Sequence, residues 1–341
     1  MKILFLGLGG VGQRHLRNID LLSNAENEYI TFSKRKTKSL ITNDLRELED
    51  EDIFKKFNIK VKNSLQDAFL ENPDLTVIST PSSFHYEHAK FALNSNSNVF
   101  LEKPATISSS ECKDLIRIEA SSEKKISVSF QMRFTPWIRK IKEILNSNKY
   151  GKIAYVTSIV SEYMPSWHKY EDYRESYASR KNLGGGVTFT QIHEIDYLFY
   201  IFENLEFVHS ISGKYSELEI DVEDTSISVL KSKKENYFFP INLIQDYMGE
   251  PKRRELVIQF THAKLYCDFI KSQIIIYKDG IIESLFDFKD FERNNAFVDQ
   301  MQQFIDCLNN SKLKAPVTLD EALISVELAE KIKFNNDPLI F

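Results

Sequence analysis

Short apolar runs alternate with amphipathic segments through the N-terminal part of the chain. KILFL (2–6) and NVFLE (98–102) have the length of buried strands, and GVGQRHLRNIDLL (10–22) places its apolar residues along one side of a helix. The same alternation predicts further strands at 29–32, 59–61, 75–80 and 126–131 and further helices near 37–56, 64–71, 84–94 and 108–121. Strands that alternate with helices predict an α/β fold with a doubly wound parallel sheet.

The pattern changes after about residue 151. One long helix is predicted near 187–202, and six β-rich runs follow it at short spacing. The turn residues among them include Asp279-Gly280, a typical hairpin signal. This part of the chain therefore predicts an α+β domain with a mainly antiparallel, open sheet and a helix packed on it.

The last two segments, near 292–309 and 318–334, are helical again. We assign residues 1–135 to the first domain and 136–341 to the second. The C-terminal helices are candidates for packing back on the first domain, since no low-complexity linker separates the two parts.

Composition excludes several classes of protein. The chain has 341 residues, 42% of them hydrophobic and 27% charged, and a net charge of -5, which gives no electrostatic case for nucleic acid or an anionic membrane. No apolar stretch has the 18 or more residues of a membrane span. The three cysteines are far apart and odd in number, as expected of reduced thiols, and no Cys/His spacing resembles a metal site. We therefore expect a cytoplasmic protein that binds no metal.

A glycine motif indicates the first ligand. GLGGVG fits G-x-G-x-x-G through Gly7, Gly9 and Gly12, with Gly10 and Val11 inside the loop. The pattern is weak alone, but here it follows a predicted strand and begins a predicted helix, as the dinucleotide-binding motif of the Rossmann fold requires. The first glycine permits a tight turn, the second a close approach to a pyrophosphate, and the third close helix packing. The loop therefore predicts dinucleotide binding.

The second predicted strand bears on which dinucleotide is bound. An acidic residue at its end would bind a ribose 2′-hydroxyl, but here the strand runs into Ser33, Lys34 and Arg35. A hydroxyl and two cations suit a 2′-phosphate, so the segment favours NADP(H) over NAD(H). The alternative is a solvated basic loop, as is typical of short basic runs such as this one and PKRR (251–254).

Four motifs in the same order resemble the glucose–fructose oxidoreductase/inositol dehydrogenase (Gfo/Idh/MocA) family. They are the glycine loop, STPSSFHYEHA (79–89), EKP (102–104) and GGGVTFTQIHEIDYLFYIF (184–202). The resemblance covers essentially the whole chain. It implies an NAD(P)-dependent dehydrogenase or reductase that acts on CH–OH groups of a carbohydrate, and a homo-oligomer, dimer or tetramer, built through the open face of the second sheet.

The resemblance also implies two catalytic residues. Lys103, in EKP, would perform acid/base or substrate-orienting work beside the nicotinamide, and His193 would be the second proton-transfer residue. The family pattern has an aspartate four residues before this histidine, where this chain has Phe189. Asp196, at i+3 on the same predicted helix, could replace it or serve elsewhere.

Further site residues follow from the resemblance. It assigns to the cofactor cleft Thr80, Pro81, His85, Glu102 and Gln131. A packed or helix-capping histidine is the alternative for His85. The segment FQMRF (130–134) resembles the crossover strand of the family, which would put Arg133 near the substrate.

The segment from 163 to 186 is rich in aromatic and cationic residues. Aromatic faces stack on sugar rings, and arginine binds carboxylate or phosphate, so we expect Trp167, Tyr173, Arg174 and Tyr177 to bind an anionic carbohydrate. The alternative is a surface or subunit-contact loop. The segment resembles family members of bacterial surface-glycan biosynthesis, whose substrates include nucleotide sugars.

Three hypotheses for function therefore stand. The first is hydride transfer to or from an anionic sugar or nucleotide sugar. The second is an enzyme that uses a tightly bound cofactor for a transient oxidation, so that the net reaction is an epimerisation or an elimination. The third is a non-catalytic dinucleotide sensor or scaffold, which the missing aspartate supports and the retained lysine and histidine oppose.

Overall fold

The computed structural model describes residues 1–23, 26–32, 38–168 and 170–334. In the first part of the chain its elements are β1 (Lys2–Leu6), α1 (Gly10–Leu22), β2 (Glu28–Phe32), β3 (Ser39–Ile41), β4 (Glu47–Asp52), α2 (Ile53–Lys56), β5 (Lys60–Val61), α3 (Leu65–Phe69), β6 (Leu75–Ile78), α4 (His85–Asn94), β7 (Asn98–Glu102), α5 (Ser109–Ser121), β8 (Ile126–Ser129) and α6 (Pro136–Asn146). The predicted alternation of strands and helices is therefore confirmed, apart from one segment.

The apolar runs form a six-stranded parallel sheet. Its strand order is β5-β2-β1-β6-β7-β8, so the chain winds outward in both directions from β1 and β6. Side chains on both faces of β6 and β8 are buried, because helices cover the sheet on both sides. This arrangement brings the carboxyl ends of β1, β6 and β7 to one edge of the sheet, where ligands of such folds bind.

The predicted helix near 37–56 is wrong. Strands β3 and β4 form an antiparallel hairpin there, and only the four residues of α2 are helical. Leu45 adopts a left-handed conformation in the turn, with φ of 61°, and Thr42 and Arg46 close it through a backbone hydrogen bond. The carboxylate of Asp52 then caps α2 by accepting hydrogen bonds from two backbone N–H groups. The hydrogen bonds of the turn and of the helix cap therefore decide the structure of this segment, although its polar pattern is typical of a helix.

The second part of the chain contains β9 (Ile153–Ser161), α7 (Val187–Thr190), α8 (His193–Phe202), β10 (Glu206–Gly213), β11 (Thr225–Lys234), β12 (Tyr237–Asp246), β13 (Arg253–Phe260), β14 (Lys264–Asp268), β15 (Gln273–Lys278), β16 (Ile281–Asp287), α9 (Arg293–Asn309) and α10 (Leu319–Phe334). An eight-stranded sheet has the order β10-β11-β12-β9-β13-β14-β15-β16, and all its neighbours are antiparallel except β12 and β9. The predicted mainly antiparallel sheet is confirmed. Strands β9 and β16 were missing from the prediction.

The helix predicted near 187–202 is interrupted. Gln191 and Ile192 separate α7 from α8. The side-chain amide of Gln245 donates to the backbone oxygen of Gln191 at 2.9 Å, and the amide of Gln191 donates to the backbone oxygen of Asp246 at 3.1 Å. These two bonds join the break between the helices to strand β12. The break sets the direction of α8 relative to α7. His193 is the first residue of α8.

The C-terminal helices contact the first sheet. Gln300 of α9 donates to the backbone oxygen of Val128 at 2.7 Å, and Phe304 packs on Phe100 with ring centroids 5.7 Å apart. In α10, Glu330 accepts a hydrogen bond from the backbone N–H of Ser109. Ser210 and Ser212 of β10 also donate to the backbone oxygen of Ile332 in α10. Helix α10 therefore connects the first domain to the large sheet.

One face of the large sheet carries exposed apolar side chains. Ile211, Ile227 and Phe238 alternate with buried neighbours along their strands and lie on the side away from the helices. Within the described ranges, none of the helices combines the length and the apolar character needed to span a bilayer.

Candidate active site

The glycine turn after β1 has no room for side chains. Gly7 has φ of +94°, and a methyl group there would lie 2.6 Å from the backbone oxygen of Ser79. A methyl group on Gly12 would overlap the backbone oxygen of Gly7, which accepts a hydrogen bond of 2.7 Å from the Ser79 hydroxyl. The turn thus keeps α1 in direct contact with the end of β6, and only glycine satisfies both positions.

The start of α1 fits a phosphate group. Gly9 occupies the N-cap position without a side-chain hydrogen bond, and the first turn carries no acidic residue. The leading N–H groups of the helix therefore have no side-chain cap, and they combine with the positive end of the helix dipole. Gly10 and Val11 continue this first turn, and the hydroxyl of Tyr170 lies 3.0 Å from where a methyl group on Gly10 would be. The bare backbone suits the pyrophosphate of a dinucleotide.

Ser33, Lys34 and Arg35 lie outside the described residues. Their proposed contact with a 2′-phosphate stays a prediction.

Lys103 lies at the carboxyl edge of the first sheet, directly after β7. Its Nζ donates a hydrogen bond of 2.7 Å to the backbone oxygen of Thr190, at the end of α7. The peptide bond between Lys103 and Pro104 is cis. The hydrogen bond from Lys103 to Thr190 joins the cofactor-binding sheet to the segment that leads to His193, so the amine of EKP faces a cleft between the two parts of the structure.

The side chain of Glu102 points away from the cleft, toward α1. Its Oε1 lies 2.7 Å from Nε2 of His15 on α1, and both side chains are buried. Burial by itself raises the pKa of this carboxyl, but the hydrogen bond and charge of His15 and the charge of Lys103 outweigh it and lower the pKa. Glu102 therefore stays ionised and ties the turn that holds Lys103 to the helix that follows the glycine loop.

His85 links the two neighbouring strand ends. Its Nδ1 lies 2.7 Å from the backbone oxygen of Pro104, and its Nε2 lies 2.9 Å from the backbone oxygen of Thr80. Pro81 caps the short 3-10 turn before α4. Burial is the largest influence on His85 and lowers its pKa. The ring is thus packed between the loops that form the cleft, as in the packed-histidine alternative.

The side chains of His193 and Gln131 meet close to the segment that Lys103 contacts. Their side-chain Nε2 atoms lie 3.2 Å apart, and both residues are buried. In the described part of the chain Nδ1 of His193 has no hydrogen-bond partner. Burial lowers the pKa of His193 well below its ordinary value, and the charges of Lys103 and nearby arginines lower it further. The imidazole is therefore neutral at pH 7 and able to accept a proton.

The structure corrects the assignment of Arg133 to the substrate. This residue lies in a 3-10 turn (131–134) and not in a strand, and only 4% of it is exposed. Its Nε and Nη2 donate to the two carboxylate oxygens of Asp196 at 2.9 and 2.7 Å, and Nη1 donates to Glu321 at 2.9 Å. The guanidinium is thus saturated by carboxylates. For the same reason Asp196 is not the orienting partner of His193.

The aromatic segment is largely packed on the protein itself. Trp167, Tyr173 and Tyr177 cover an apolar cluster that contains Tyr247, and Arg174 pairs with Asp172 and Glu219 at the surface. Among the described residues, no hydrogen bond or ring contact joins these four predicted substrate residues to Lys103 or His193. The structure does not bring them into the core of the site.

Two charged residues beside His193 were absent from the prediction. Glu194, the next residue, is fully buried, and its Oε1 accepts a hydrogen bond of 2.7 Å from Nε of Arg254 on β13. Arg254 belongs to PKRR, whose basic composition resembles a solvated surface. The two-residue period of β13 was the available signal, because it puts Arg254 on the same face as the buried Leu256.

A dinucleotide that rests on the glycine turn extends along the carboxyl edge of the sheet, where Lys103 and His193 lie. A bound nicotinamide with an amine and an imidazole beside it has the parts needed to move a hydride and a proton. The fold and the site therefore define a dinucleotide-dependent oxidoreductase.

Comparison with known families gives the same class. Residues 1–130 match the family described as "Oxidoreductase family, NAD-binding Rossmann fold", and residues 138–236 match the "GFO/IDH/MocA C-terminal domain". The chain belongs to the GFO/IDH/MocA family of oxidoreductases. The resemblance stated from the motifs, the fold class and the expectation of a dehydrogenase-type enzyme are confirmed.

Individual relatives are distant. Oxidoreductase P35 of Formosa agariphila is 26% identical over 233 residues, which are 64% of this chain and 67% of that protein. Glucose-6-phosphate 3-dehydrogenase of Bacillus subtilis is 23% identical over 228 residues, 67% of this chain and 61% of the relative. The alignment thus spans less than two thirds of the second relative.

Among solved structures, the WlbA dehydrogenase of Bordetella pertussis in complex with NADH and UDP-GlcNAcA has a similar fold. The TM-score is 0.78 over 97% of this chain and 94% of WlbA, at 16% identity. At this identity the similarity shows the fold alone.

Proposed function

We propose that the protein transfers a hydride between NAD(P)(H) and a hydroxyl-bearing carbon of a carbohydrate derivative, and that this derivative is an anionic sugar or nucleotide sugar. The observation that carries the proposal is the bond between Lys103 Nζ and the backbone oxygen of Thr190, which brings the cofactor edge and the His193 helix together. The relative named glucose-6-phosphate 3-dehydrogenase, whose name gives a phosphorylated sugar as its substrate, supports the substrate class.

In this proposal the nicotinamide supplies or accepts the hydride, and the chain moves the proton. Neutral His193 accepts the hydroxyl proton in the direction of oxidation, for which its lowered pKa suits it. Lys103 orients the reacting hydroxyl from the other side and holds its charge next to the developing oxyanion. Gln131 keeps the imidazole in place by donating its amide N–H to Nε2 of His193 at 3.2 Å, so Nε2 is the nitrogen that takes the hydroxyl proton once the substrate displaces this bond.

We further propose that NADP(H) is preferred over NAD(H). The support is the sequence Ser33, Lys34 and Arg35 after β2, where an acidic residue would otherwise bind the ribose 2′-hydroxyl. Two cations make charge-assisted hydrogen bonds to a phosphate and gain nothing comparable from a hydroxyl.

The test is a fluorescence titration of cofactor-free protein with NADPH and, separately, with NADH. Tighter binding of NADPH, lost in the double variant Lys34→Ala/Arg35→Ala, supports the preference. Tighter binding of NADH overturns the preference and keeps the enzyme. Binding of neither would contradict both the enzyme and the sensor and would favour a non-catalytic scaffold. Turnover is then screened with glucose 6-phosphate, glucuronate and UDP-N-acetylglucosamine.

We also propose a cytoplasmic homo-oligomer, dimer or tetramer, that assembles through the open face of the large sheet. The exposed Ile211, Ile227 and Phe238 support this surface, since grouped apolar side chains on a sheet face favour association. Light scattering of the wild type and of Phe238→Asp tests it. A wild-type monomer would contradict the proposal.

A further inference from the structure

Three arginines from three separate elements approach the cleft beside His193. They are Arg14 on α1, Arg254 on β13 and Arg293 at the start of α9, and we call them the arginine cluster. None was among the predicted site residues. Like charges repel, so a cluster of cations in a cleft needs an electrostatic explanation.

Arg254 keeps two donors free on the cleft side. Its Nε is bonded to the buried Glu194, and 14% of the side chain is exposed. Its two terminal nitrogens make no hydrogen bond to any residue of the described ranges. Arg253, the preceding residue, points to the other face of β13, is half exposed and pairs with Glu255. Because side chains alternate along β13, Arg253 lies on the exposed face of the strand and Arg254 on the face that packs against the His193 helix.

Arg293 has no hydrogen bond or ion pair within the part of the chain that the structure describes. One helical turn further on, Phe297 lies under the guanidinium of Arg14, whose central carbon is 4.6 Å from the ring centroid. Asn294 donates to Asn18 of α1 at 2.8 Å. The start of α9, and with it the backbone of Arg293, is therefore fixed against α1.

The electrostatic effects within the cluster agree with this arrangement. Burial and then the charge of Arg293 lower the pKa of Arg14 to about 10. Arg293 is solvent-exposed, yet desolvation by the surrounding protein and then the charge of Arg254 lower its pKa. The charges of Arg254 and Arg293 both lower the pKa of His193, and Arg254 is bonded to Glu194, the residue that follows His193.

Among the described residues one carboxylate, Glu194, pairs with Arg254, and none pairs with Arg293. Glu194 is fully buried behind Arg254, and Glu102 is bonded to His15 below the cleft. Glu162 raises the pKa of both Arg254 and Arg293 but makes no ion pair with either in the described structure. On the cleft side, the terminal nitrogens of Arg254 and the guanidinium of Arg293 remain available.

We propose that Arg254 and Arg293 form a subsite that binds a carboxylate or phosphate group of the substrate next to Lys103 and His193. This inference rests on the proposed function and names the residues that select its anionic substrates. An anion between the two guanidinium groups replaces their repulsion by charge-assisted hydrogen bonds, which are about twice as strong as neutral ones.

The substrate, and not the cofactor, is the source of the anion. The pyrophosphate binds at the start of α1, where Arg14 lies nearer and donates to the backbone oxygen of Asn43. Arg254 and Arg293 act instead on His193, the residue proposed to face the reacting hydroxyl. The test therefore measures cofactor and sugar binding separately.

Thermal unfolding of the cofactor-saturated protein is followed with glucose 6-phosphate, with glucuronate and with glucose as probes. We expect the two anionic probes to raise Tm and to bind at least about tenfold more tightly than glucose, because charged hydrogen bonds contribute more than neutral ones. Arg293→Ala should lose this advantage, and Arg293→Lys should keep part of it. Arg139→Ala, which removes an exposed arginine paired with Asp299, is the matched control and should bind like the wild type.

The proposal is overturned if neither anionic probe binds better than glucose, or if Arg293→Ala keeps the preference. If Arg293→Ala instead weakens NADPH and NADH binding in the fluorescence titration and leaves the sugar preference intact, the anion belongs to the cofactor and the proposal also fails. Failure of the proposed function looks different, since the Arg293-dependent binding of anions would then persist without turnover of any sugar.

Discussion

The imidazole of His15 and the carboxylate of Glu102 form a buried contact of 2.7 Å between α1 and the last residue of β7. Glu102 precedes Lys103, and its second oxygen accepts a hydrogen bond from the Lys103 backbone N–H at 3.2 Å. The helix that follows the cofactor loop is thereby connected to the turn that carries the proposed catalytic amine. His15 also packs on Phe100 of β7, with ring centroids 5.0 Å apart.

Replacing His15 should therefore destabilise the protein at neutral pH. His15→Ala leaves the Glu102 carboxylate buried without its main partner, and an unsatisfied buried charge costs about 2–3 kcal/mol. Urea unfolding at pH 7 measures the loss. Because the folded pKa of Glu102 is lowered from 4.5, the stability it contributes is present above pH 4.5 and is lost as the pH falls through the folded value.

The difference between His15→Ala and the wild type should accordingly shrink in acid. Glu102→Gln is the control, since a neutral amide needs no counter-charge and still bonds to the ring. If His15→Ala were as stable as the wild type at pH 7, the pair would have no structural role.

Adding one methyl group to the glycine turn should weaken cofactor binding. Gly12→Ala would drive its methyl into the backbone oxygen of Gly7, and overpacking of this kind costs about 1–3 kcal/mol. The start of α1 must then move away from β6, which displaces the N–H groups that face the phosphates. The fluorescence titration should show NADPH and NADH affinity lower by about tenfold or more.

Gly280→Ala is the matched control for this variant. Gly280 also resists substitution, because its φ is +80°, but it lies in the β15–β16 hairpin with no atom near its missing side chain. It should lose some stability and keep the cofactor affinity. Unchanged cofactor binding in Gly12→Ala would show that the glycine turn does not hold the dinucleotide.

The sequence predicted those features that depend on interactions between neighbouring residues. The glycine turn, the strand period and the Asp279-Gly280 hairpin are encoded in neighbouring residues, and the structure contains all three. In the hairpin, for example, Asp279 and Gly280 adopt φ of 52° and 80°, as its turn type requires. The alternation of strands and helices likewise follows from local hydrophobic patterns.

What sequence did not predict depends on contacts between distant residues. Arg133 has the composition of a substrate-binding residue, but Asp196 and Glu321 lie 63 and 188 positions away and saturate it. Arg254 has the composition of a surface residue, and only the fold turns it toward His193. One arginine is thus structural and the other lies beside the proposed site. The partners that determine these roles are far away in the sequence and cannot be predicted from neighbouring residues.

Removing the amine of Lys103 should stop the reaction and spare cofactor binding. Lys103→Ala deletes the ammonium group at the cleft and leaves the glycine turn untouched. Loss of a positioned acid–base group lowers the rate by about 10² to 10⁴. Steady-state turnover measures this loss, once a substrate has been found by the screen.

The affinity for NADPH in Lys103→Ala should stay near the wild-type value in the same titration. Lys103→Met is a useful companion variant, because it fills the space of the side chain without the charge and should be equally inactive. Retained turnover in either variant would contradict the role of the lysine.

Breaking the buried pair of Arg133 and Asp196 should lower the free energy of unfolding and leave the affinity for substrate unchanged. Arg133→Ala leaves a buried carboxylate unpaired, which typically costs about 3–5 kcal/mol. Arg139→Ala removes an exposed pair and should cost less than about 1 kcal/mol. Urea unfolding compares the two variants. A stable Arg133→Ala protein with a raised KM would instead restore the substrate role predicted from the sequence.

The lowered pKa of His193 should be visible in how stability varies with pH. Burial, and then the charges of Lys103, Arg254 and Arg293, keep the folded imidazole neutral well below its ordinary value of 6.5. The unfolded chain binds a proton near pH 6.5 and the folded chain does not, so the free energy of unfolding falls as the pH decreases below 6.5.

His193→Gln removes this contribution, and the difference between variant and wild type isolates it from the other histidines. We expect that difference to be constant above pH 7 and to change by up to about 1.4 kcal/mol per pH unit below 6.5, with the wild type losing stability relative to the variant. Urea unfolding between pH 5 and pH 8 measures it. If the wild type gained stability instead as the pH fell, the folded imidazole would carry a proton, and His193 would enter the reaction as an acid and not as the base proposed for oxidation.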